Sequence, residues 1–367
     1  MLIGIDASRA NNLNKTGTEW YSYHLIQYLK QLANPDRFVL YSREKLRNGL
    51  ENLPDNFKSK VLGWPPKRFW TQLRLSLEML VHRPDVLFVP AHTMPLSHPR
   101  KTIITLHDIG FTKYPELYSR SELKYHNWAA KYALKKAKVI ITVSEFTKNE
   151  IIDFYQVKPE RIKVVYLAYD SHAFKFGLDR DKIREIKQKY GLNAPYFFYI
   201  GRLEKKKNIL GLLSAFNKIT HSEANLVLAG QPGLGYDQIK KIIRENSLAD
   251  KVKILGWVPQ ADVPYLMAGA IALVMPSFYE GFCLPILEAM AVGTPVIGAN
   301  NTAIPEIAGG AALLVNPKDT DKLATKMDEL INNEELRQEL KAVGLKRVQA
   351  FSWQKCAQET LKIIASV

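Results

Sequence analysis

The feature that most constrains this chain is an alternation of short apolar runs with helical segments, which restarts once near the middle. Apolar runs fall at 2–5, 38–41, 61–62, 86–89, 103–106, 139–143 and 162–166, and again at 196–200, 226–229, 252–255, 271–275, 295–297 and 312–315. Most are four to six residues long and apolar throughout rather than alternating. That pattern reads as parallel strands covered on both faces by the helices between them. At 367 residues the chain has room for two such units, and a mixed linker at 168–179 parts them. The expected class is therefore α/β, with two Rossmann-like, doubly wound domains at 1–173 and 174–350. Two open sheets facing each other would line a cleft with the carboxyl ends of their strands, where ligands of such sheets bind.

The strand at 2–5 is followed by a polar loop ending at Gly17 and by helical periodicity from about Trp20. The G-x-G-x-x-G spacing of dinucleotide binders is missing, which argues against NAD. Residues 1–173 hold 26 Lys and Arg against 16 Asp and Glu. Such an excess suits an anionic partner (nucleic acid, a phosphorylated acceptor or an acidic membrane surface) or plain solubility. The run 63–70 (GWPPKRFW) leads into an amphipathic segment with Leu73, Leu75, Leu77, Met79 and Leu80, and a basic run follows at Lys131, Lys135, Lys136 and Lys138. Tryptophan beside cations fits either an interfacial membrane helix or an ordinary half-buried helix. Only Cys283 and Cys356 occur, so neither a disulfide framework nor paired metal-ligand spacing is present. No signal peptide and no spanning segment is read, and a cytoplasmic location is expected, peripheral on the inner membrane face if the basic half binds lipid.

The richest stretch is 276–297, PSFYEGFCLPILEAMAVGTPVI. A buried strand ends, the chain turns through Glu280-Gly281-Phe282, and a helix begins near Pro285, a residue suited to the first helical turn. A strand, a glycine loop and a helix start place backbone N–H groups at a sheet edge, which suits a phosphate. Glu280 and Glu288 frame it; carboxylates accept hydrogen bonds from sugar hydroxyls. After the strand at 196–200 comes GRLEKKKN (201–208), where Arg202 and Lys207 form either a diphosphate receptor or a solvated basic turn. The loop 230–235 (GQPGLG) either lies near the phosphates or simply reverses the chain, and the reversal is the favoured reading. The segment 255–259 (LGWVP) offers backbone atoms at Val258 to a nucleobase. His107, in TLHD (105–108), stands at the end of a buried strand, placed for contact with a reacting sugar or for a structural hydrogen bond with Asp108.

Together these residues resemble the family 4 retaining glycosyltransferases of the GT-B fold. The E-x7-E block at 280–288 carries the resemblance. Gly17, TLHD, TVSEFTKNEI (142–151), GRLEKKKN and the FSW of a closing helix (351–353) follow in the family's order. The resemblance implies that Glu280 contacts the transferred sugar and Glu288 the ribose. It makes Arg202 and Lys207 the diphosphate-binding pair and His107 the active-site histidine. Backbone groups at Gly17, Gly281, Phe282, Cys283 and Leu284 would complete the pocket. It also returns 351–367 to the first domain. The implied reaction moves a hexose from a nucleoside diphosphate sugar, of GDP-mannose or UDP-glucose type, to a glycan or lipid-linked acceptor, in polysaccharide, O-antigen or glycolipid synthesis. No metal and no cofactor beyond the nucleotide sugar is expected, and nucleic acid is not the expected partner. The competing readings are a sugar-nucleotide epimerase of the same fold and a non-catalytic nucleotide-sugar-binding module. The family commonly has glycine where this chain has Cys283, and a Gly-Val/Ile-Asp turn where it has Tyr169-Asp170.

Overall fold

The computed structural model of the protein describes residues 1–33, 35–65, 69–219 and 223–367. The chain divides into two compact units. The first comprises 1–115, 120–168 and 351–367; the second comprises 116–119 and 169–350. The change of unit thus falls after Ala168, where the sequence reading put it at 173, and a four-residue strap, Glu116–Ser119, joins the second unit.

The strands of the first unit are β1 (Leu2–Asp6), β2 (Arg37–Ser42), β3 (Phe57–Val61), β4 (Val86–Val89), β5 (Thr102–Leu106), β6 (Val139–Thr142) and β7 (Ile162–Val164). They form one parallel sheet in the order β3-β2-β1-β4-β5-β6-β7. The central strands are buried end to end; β4 and β5 have no exposed position. The edge strand β3 (FKSKV) buries only its first residue fully, so it lacks the apolar run by which the others are read, and the expectation at 61–62 caught only its end. The helix Gly17–Leu29 starts earlier than Trp20, because Thr16 and Glu19 form a capping box around its first turn. The closing helix Trp353–Ala365 belongs to this unit. Ser352 caps it by accepting from the Lys355 amide at 3.1 Å, and the buried Trp353 indole stacks on His24 of the first helix.

The second unit repeats the plan with β8 (Tyr196–Ile200), β9 (Asn225–Ala229), β10 (Val252–Gly256), β11 (Ala272–Met275), β12 (Val296–Ala299) and β13 (Leu313–Val315). Their order is β10-β9-β8-β11-β12-β13, again parallel throughout. In both sheets the order reverses beside the first strand. That reversal opens a crevice at the carboxyl edge, between the loops leaving β8 and β11 in the second unit. Gly230 shows how tightly those loops pack. A Cβ added there would lie 1.8 Å from the Gly201 carbonyl oxygen, so only glycine fits. The 230–235 loop therefore supports the loop after β8: the Gly233 amide donates to the Leu203 carbonyl at 3.0 Å.

Candidate active site

Two loops of the second unit are joined at three levels. The Phe278 amide donates to the Lys206 carbonyl at 3.0 Å. Asn208, held in the left-handed region at φ 57°, donates through Nδ2 to the carbonyls of Pro276 (3.1 Å) and Pro317 (2.6 Å). Between these anchors the Lys207 ammonium donates to Glu280 Oε1 at 2.7 Å, and the buried Ser277 hydroxyl donates to the same oxygen at 2.7 Å. Glu280 is 8% exposed, so this is a largely desolvated ion pair with a third polar group on the carboxylate. The Glu280 amide in turn donates to Thr302 Oγ1 at 3.3 Å, and Thr302 is itself left-handed.

Lys207 and Arg202, five residues apart in one loop, behave differently. Lys207 turns inward to Glu280. Arg202 stays more than half exposed, its Nε 3.6 Å from Glu204, and is available to an incoming anion. The turn after Glu280 ends in the helix Leu284–Val292, with Pro285 in its first turn. The first amides of any helix lack intrahelical acceptors, and they lie directly beyond Cys283. That residue is left-handed (φ 74°, ψ 65°) and buried. The conformation is the one glycine adopts freely, and on cysteine it stores about 1–2 kcal/mol. Burial, and then the Glu280 charge, push its thiol well above the ordinary range. Gly281 and Phe282 lie in the turn itself, with Phe282 buried.

Glu288 is buried one helical face further on. Burial, with the Asp170 charge second, raises its carboxyl to about 8, so it is protonated at neutral pH and presents a donor as well as acceptors. A folded-state value above the ordinary 4.5 means that this group's stabilising contribution is complete below about pH 4.5 and is lost as pH rises through about 8. Glu288→Gln is expected to flatten the decline of melting temperature between those limits; an unchanged slope would show that Glu288 does not titrate there. Val258 is buried two residues beyond β10, and its neighbour Trp257 is nearly half exposed.

Gly17 and His107 lie in the first unit. Gly17 is the first residue of its helix, and a Cβ there would meet nothing within 4 Å, so its backbone is open to approach. His107 follows β5 with Nε2 3.5 Å from the Pro90 carbonyl and its ring edge-on to Tyr21. Burial pushes its pKa down to about 4, against the raising effect of the Pro90 contact, so the imidazole is neutral at pH 7. Asp108 accepts from the Gly110 amide at 3.1 Å, and its charge acts to raise the His107 pKa.

Ser277, Asn208, Thr302 and Asp170 escaped the sequence reading as site residues. Each acts through a partner distant in sequence or across a turn, which spacing does not encode.

Two Rossmann-like units, each a parallel sheet whose strand order reverses beside its first strand, have the architecture of the GT-B fold. Residues 179–347 match the family model of glycosyl transferases group 1, and residues 15–172 that of glycosyltransferase family 4. The O-antigen chain mannosyltransferase B of Escherichia coli is 33% identical over 340 residues, 92% of this chain and 87% of the relative. RfbU, an O-antigen chain mannosyltransferase of Salmonella typhimurium, is 27% identical over 84% of this chain and 86% of its own length. Among solved structures, sucrose-phosphate synthase from Thermosynechococcus elongatus superposes with a TM-score of 0.78 at 19% identity, covering 100% of this chain and 98% of that one. WaaG, a glycosyltransferase of lipopolysaccharide biosynthesis, reaches 0.78 at 14% identity, with 99% of each chain covered. The chain belongs to the family 4 glycosyltransferases.

Proposed function

We propose that this transferase moves a mannosyl group from GDP-mannose to a hydroxyl of a glycan or lipid-linked acceptor, with retention of anomeric configuration, in O-antigen or related polysaccharide synthesis. The observation that carries the reading is the buried Lys207–Glu280 pair, with Arg202 exposed beside it and Glu288 along the following helix. The mannosyltransferase relatives support the choice of sugar. In the reaction the bond from the anomeric carbon to the β-phosphate oxygen breaks and takes its electron pair to the phosphate. The acceptor oxygen bonds the same face of that carbon, and its proton passes to the departing phosphate oxygen. Lys207 and Arg202 stabilise the negative charge that grows on the diphosphate. They supply the positive charge a divalent ion would otherwise bring, so the reaction is proposed to need neither metal nor cofactor. Glu280 holds Lys207 and faces the sugar, Glu288 takes the ribose hydroxyls, and neutral His107 hydrogen-bonds the sugar.

The direct test incubates the protein with GDP-mannose or UDP-glucose and a glycan acceptor, with and without EDTA, and reads the product anomer by NMR. An α-mannoside formed from the α-donor in EDTA is the expected result. Transfer from UDP-glucose alone, inversion, or loss of activity with EDTA would each overturn the corresponding part. Donor interconversion without acceptor would favour an epimerase.

A specific surface supports a peripheral membrane contact. Among the described residues no helix is long and apolar enough to cross a membrane. Of the run 63–70, residues 66–68 lie outside the described residues. Beyond it, Trp70, Leu75 and Met79 are buried, but Leu73, Leu77, Leu80 and Val81 point outward, the last two 63% and 74% exposed. Ser76 Oγ accepts from the Leu96 amide, and the Tyr132 hydroxyl donates to the Leu96 carbonyl. These bonds tie the segment at Ser76 through Leu96 to the helix Arg120–Lys136, which carries the exposed Trp128 and the exposed cations Lys124, Lys131 and Lys135. An apolar face bordered by cations fits an anionic bilayer. The protein is expected to co-sediment with anionic but not zwitterionic vesicles, at least threefold less so as Leu77→Glu/Leu80→Glu. Equal sedimentation of the two proteins would remove this face from the contact.

A further inference from the structure

We propose that Tyr118 and Leu117, on the strap Glu116–Ser119, are positioning residues for Lys207, the cation assigned above to the leaving diphosphate. This rests on the transferase reading. The strap lies in sequence between the helices Gly110–Lys113 and Arg120–Lys136 of the first unit, yet it counts with the second unit. A four-residue excursion of this kind needs something to hold it. The groups that do so sit on the turn that carries Lys207.

Two features seat the strap. The Lys206 ammonium donates to the Tyr118 hydroxyl at 3.3 Å and stands 5.4 Å from the centre of the Tyr118 ring. Leu117 ends the 3-10 turn Pro115–Leu117 half-buried, and it lines a cavity of about 240 Å3. The cavity wall also includes Lys205, Asn208, Ile209, Ile239 and Phe278, all of the second unit. Phe278 is the residue whose amide donates to the Lys206 carbonyl at 3.0 Å. Lys206 is thus gripped at its main chain by the loop after β11 and at its side chain by the strap.

That grip reaches Lys207 through the geometry of the turn. Lys205–Lys207 form one 3-10 turn, closed by the left-handed Asn208. With about three residues per turn, successive side chains diverge by about 120°. The direction of Lys206 therefore sets that of Lys207, which reaches Glu280 Oε1 at 2.7 Å. The partner's chemistry suits the task as well. Three adjacent lysines repel one another, and a carboxylate placed to steady them would cancel part of the positive potential that a diphosphate meets. A tyrosine steadies a cation through its ring and its hydroxyl oxygen, and at neutral pH it adds no charge. The strap fixes the turn without weakening it as a receptor for anions.

The test measures single-turnover rate, acceptor KM and melting temperature on the full-length protein with GDP-mannose and a glycan acceptor. Tyr118→Leu and Lys206→Met are each expected to slow transfer at least tenfold, since a misplacement of about 1 Å suffices for such losses. The acceptor KM should stay within twofold of wild type. Tyr118→Phe keeps the ring and Lys206→Arg keeps the cation, so both should stay within threefold in rate. Leu117→Ala should cost at least threefold, and a wild-type rate there overturns the part assigned to Leu117. The sharpest comparison adds Tyr118→Leu to Lys207→Ala. If the strap acts through Lys207, the second substitution should slow the first by no more than twofold. A further tenfold loss would show that Tyr118 acts elsewhere, and overturns the proposal. So does a rate within twofold of wild type for Tyr118→Leu, or a loss confined to acceptor KM, which would give the strap to the acceptor. Should Tyr118→Leu fail to fold, Lys206→Met carries the same test, because it leaves the strap itself intact. A wild type that transfers no mannose would remove the transferase reading and this proposal with it. An active wild type whose rate ignores the strap removes this proposal alone.

Discussion

Glu280→Gln is expected to lower the rate of transfer by roughly 100- to 1000-fold, the effect of removing one preorganised electrostatic group, while the fold survives. The substitution is nearly isosteric. The amide oxygen of glutamine can accept from the Lys207 ammonium and the Ser277 hydroxyl as Glu280 Oε1 does at 2.7 Å to each. What disappears is the negative charge. An oxocarbenium-like sugar loses a carboxylate beside it, and Lys207 loses the counter-charge that fixes its position. The stability cost is about 1–2 kcal/mol, that of weakening charged hydrogen bonds to neutral ones. Single-turnover rates beside a melting curve decide the matter. A rate within threefold of wild type, with the variant folded, would remove Glu280 from the reaction.

Which parts of this arrangement a reader of the sequence can see follows from how local their causes are. The strands β4, β5, β8 and β11 are buried end to end or nearly so, so each shows as an apolar run, and the loops after β8 and β11 could be placed at one sheet edge. Strand β3 escapes because an edge strand with lysines at two of five positions shows no such run. The segment at 70–81 shows its leucines, but which of them face outward depends on a π-turn that shifts the helical phase. Lys207 and Arg202 look equivalent in the sequence. Asn208, fixed to Pro276 and Pro317, is what turns the chain so that one points inward and the other to solvent. The protonation of Glu288 depends on burial and on Asp170, more than a hundred residues away in the chain.

Lys207→Ala is expected to have the larger consequence, because it removes two things at once. Transfer loses the inward cation that meets the leaving diphosphate, a loss of about 3–4 kcal/mol in the barrier or roughly 1000-fold in rate. The folded protein is left with a carboxylate that is mostly buried and still accepts from the Ser277 hydroxyl, while the Thr302 contact reaches only the Glu280 backbone amide. Removing one partner of a buried ion pair costs about 3–5 kcal/mol, because the charge that remains is uncompensated. The two effects separate in the double variant Lys207→Ala/Glu280→Gln. With the carboxylate neutralised, most of the lost melting temperature is expected to return, while transfer stays at the level of the single lysine variant. Arg202→Ala gives the contrast. Arg202 is exposed and 3.6 Å from Glu204, so its loss should leave the melting temperature unchanged and weaken only donor binding and turnover. If the double variant melts no higher than Lys207→Ala, the pair is not the desolvated ion pair its geometry describes. If Lys207→Ala keeps wild-type turnover, the cation that stabilises the leaving group lies elsewhere.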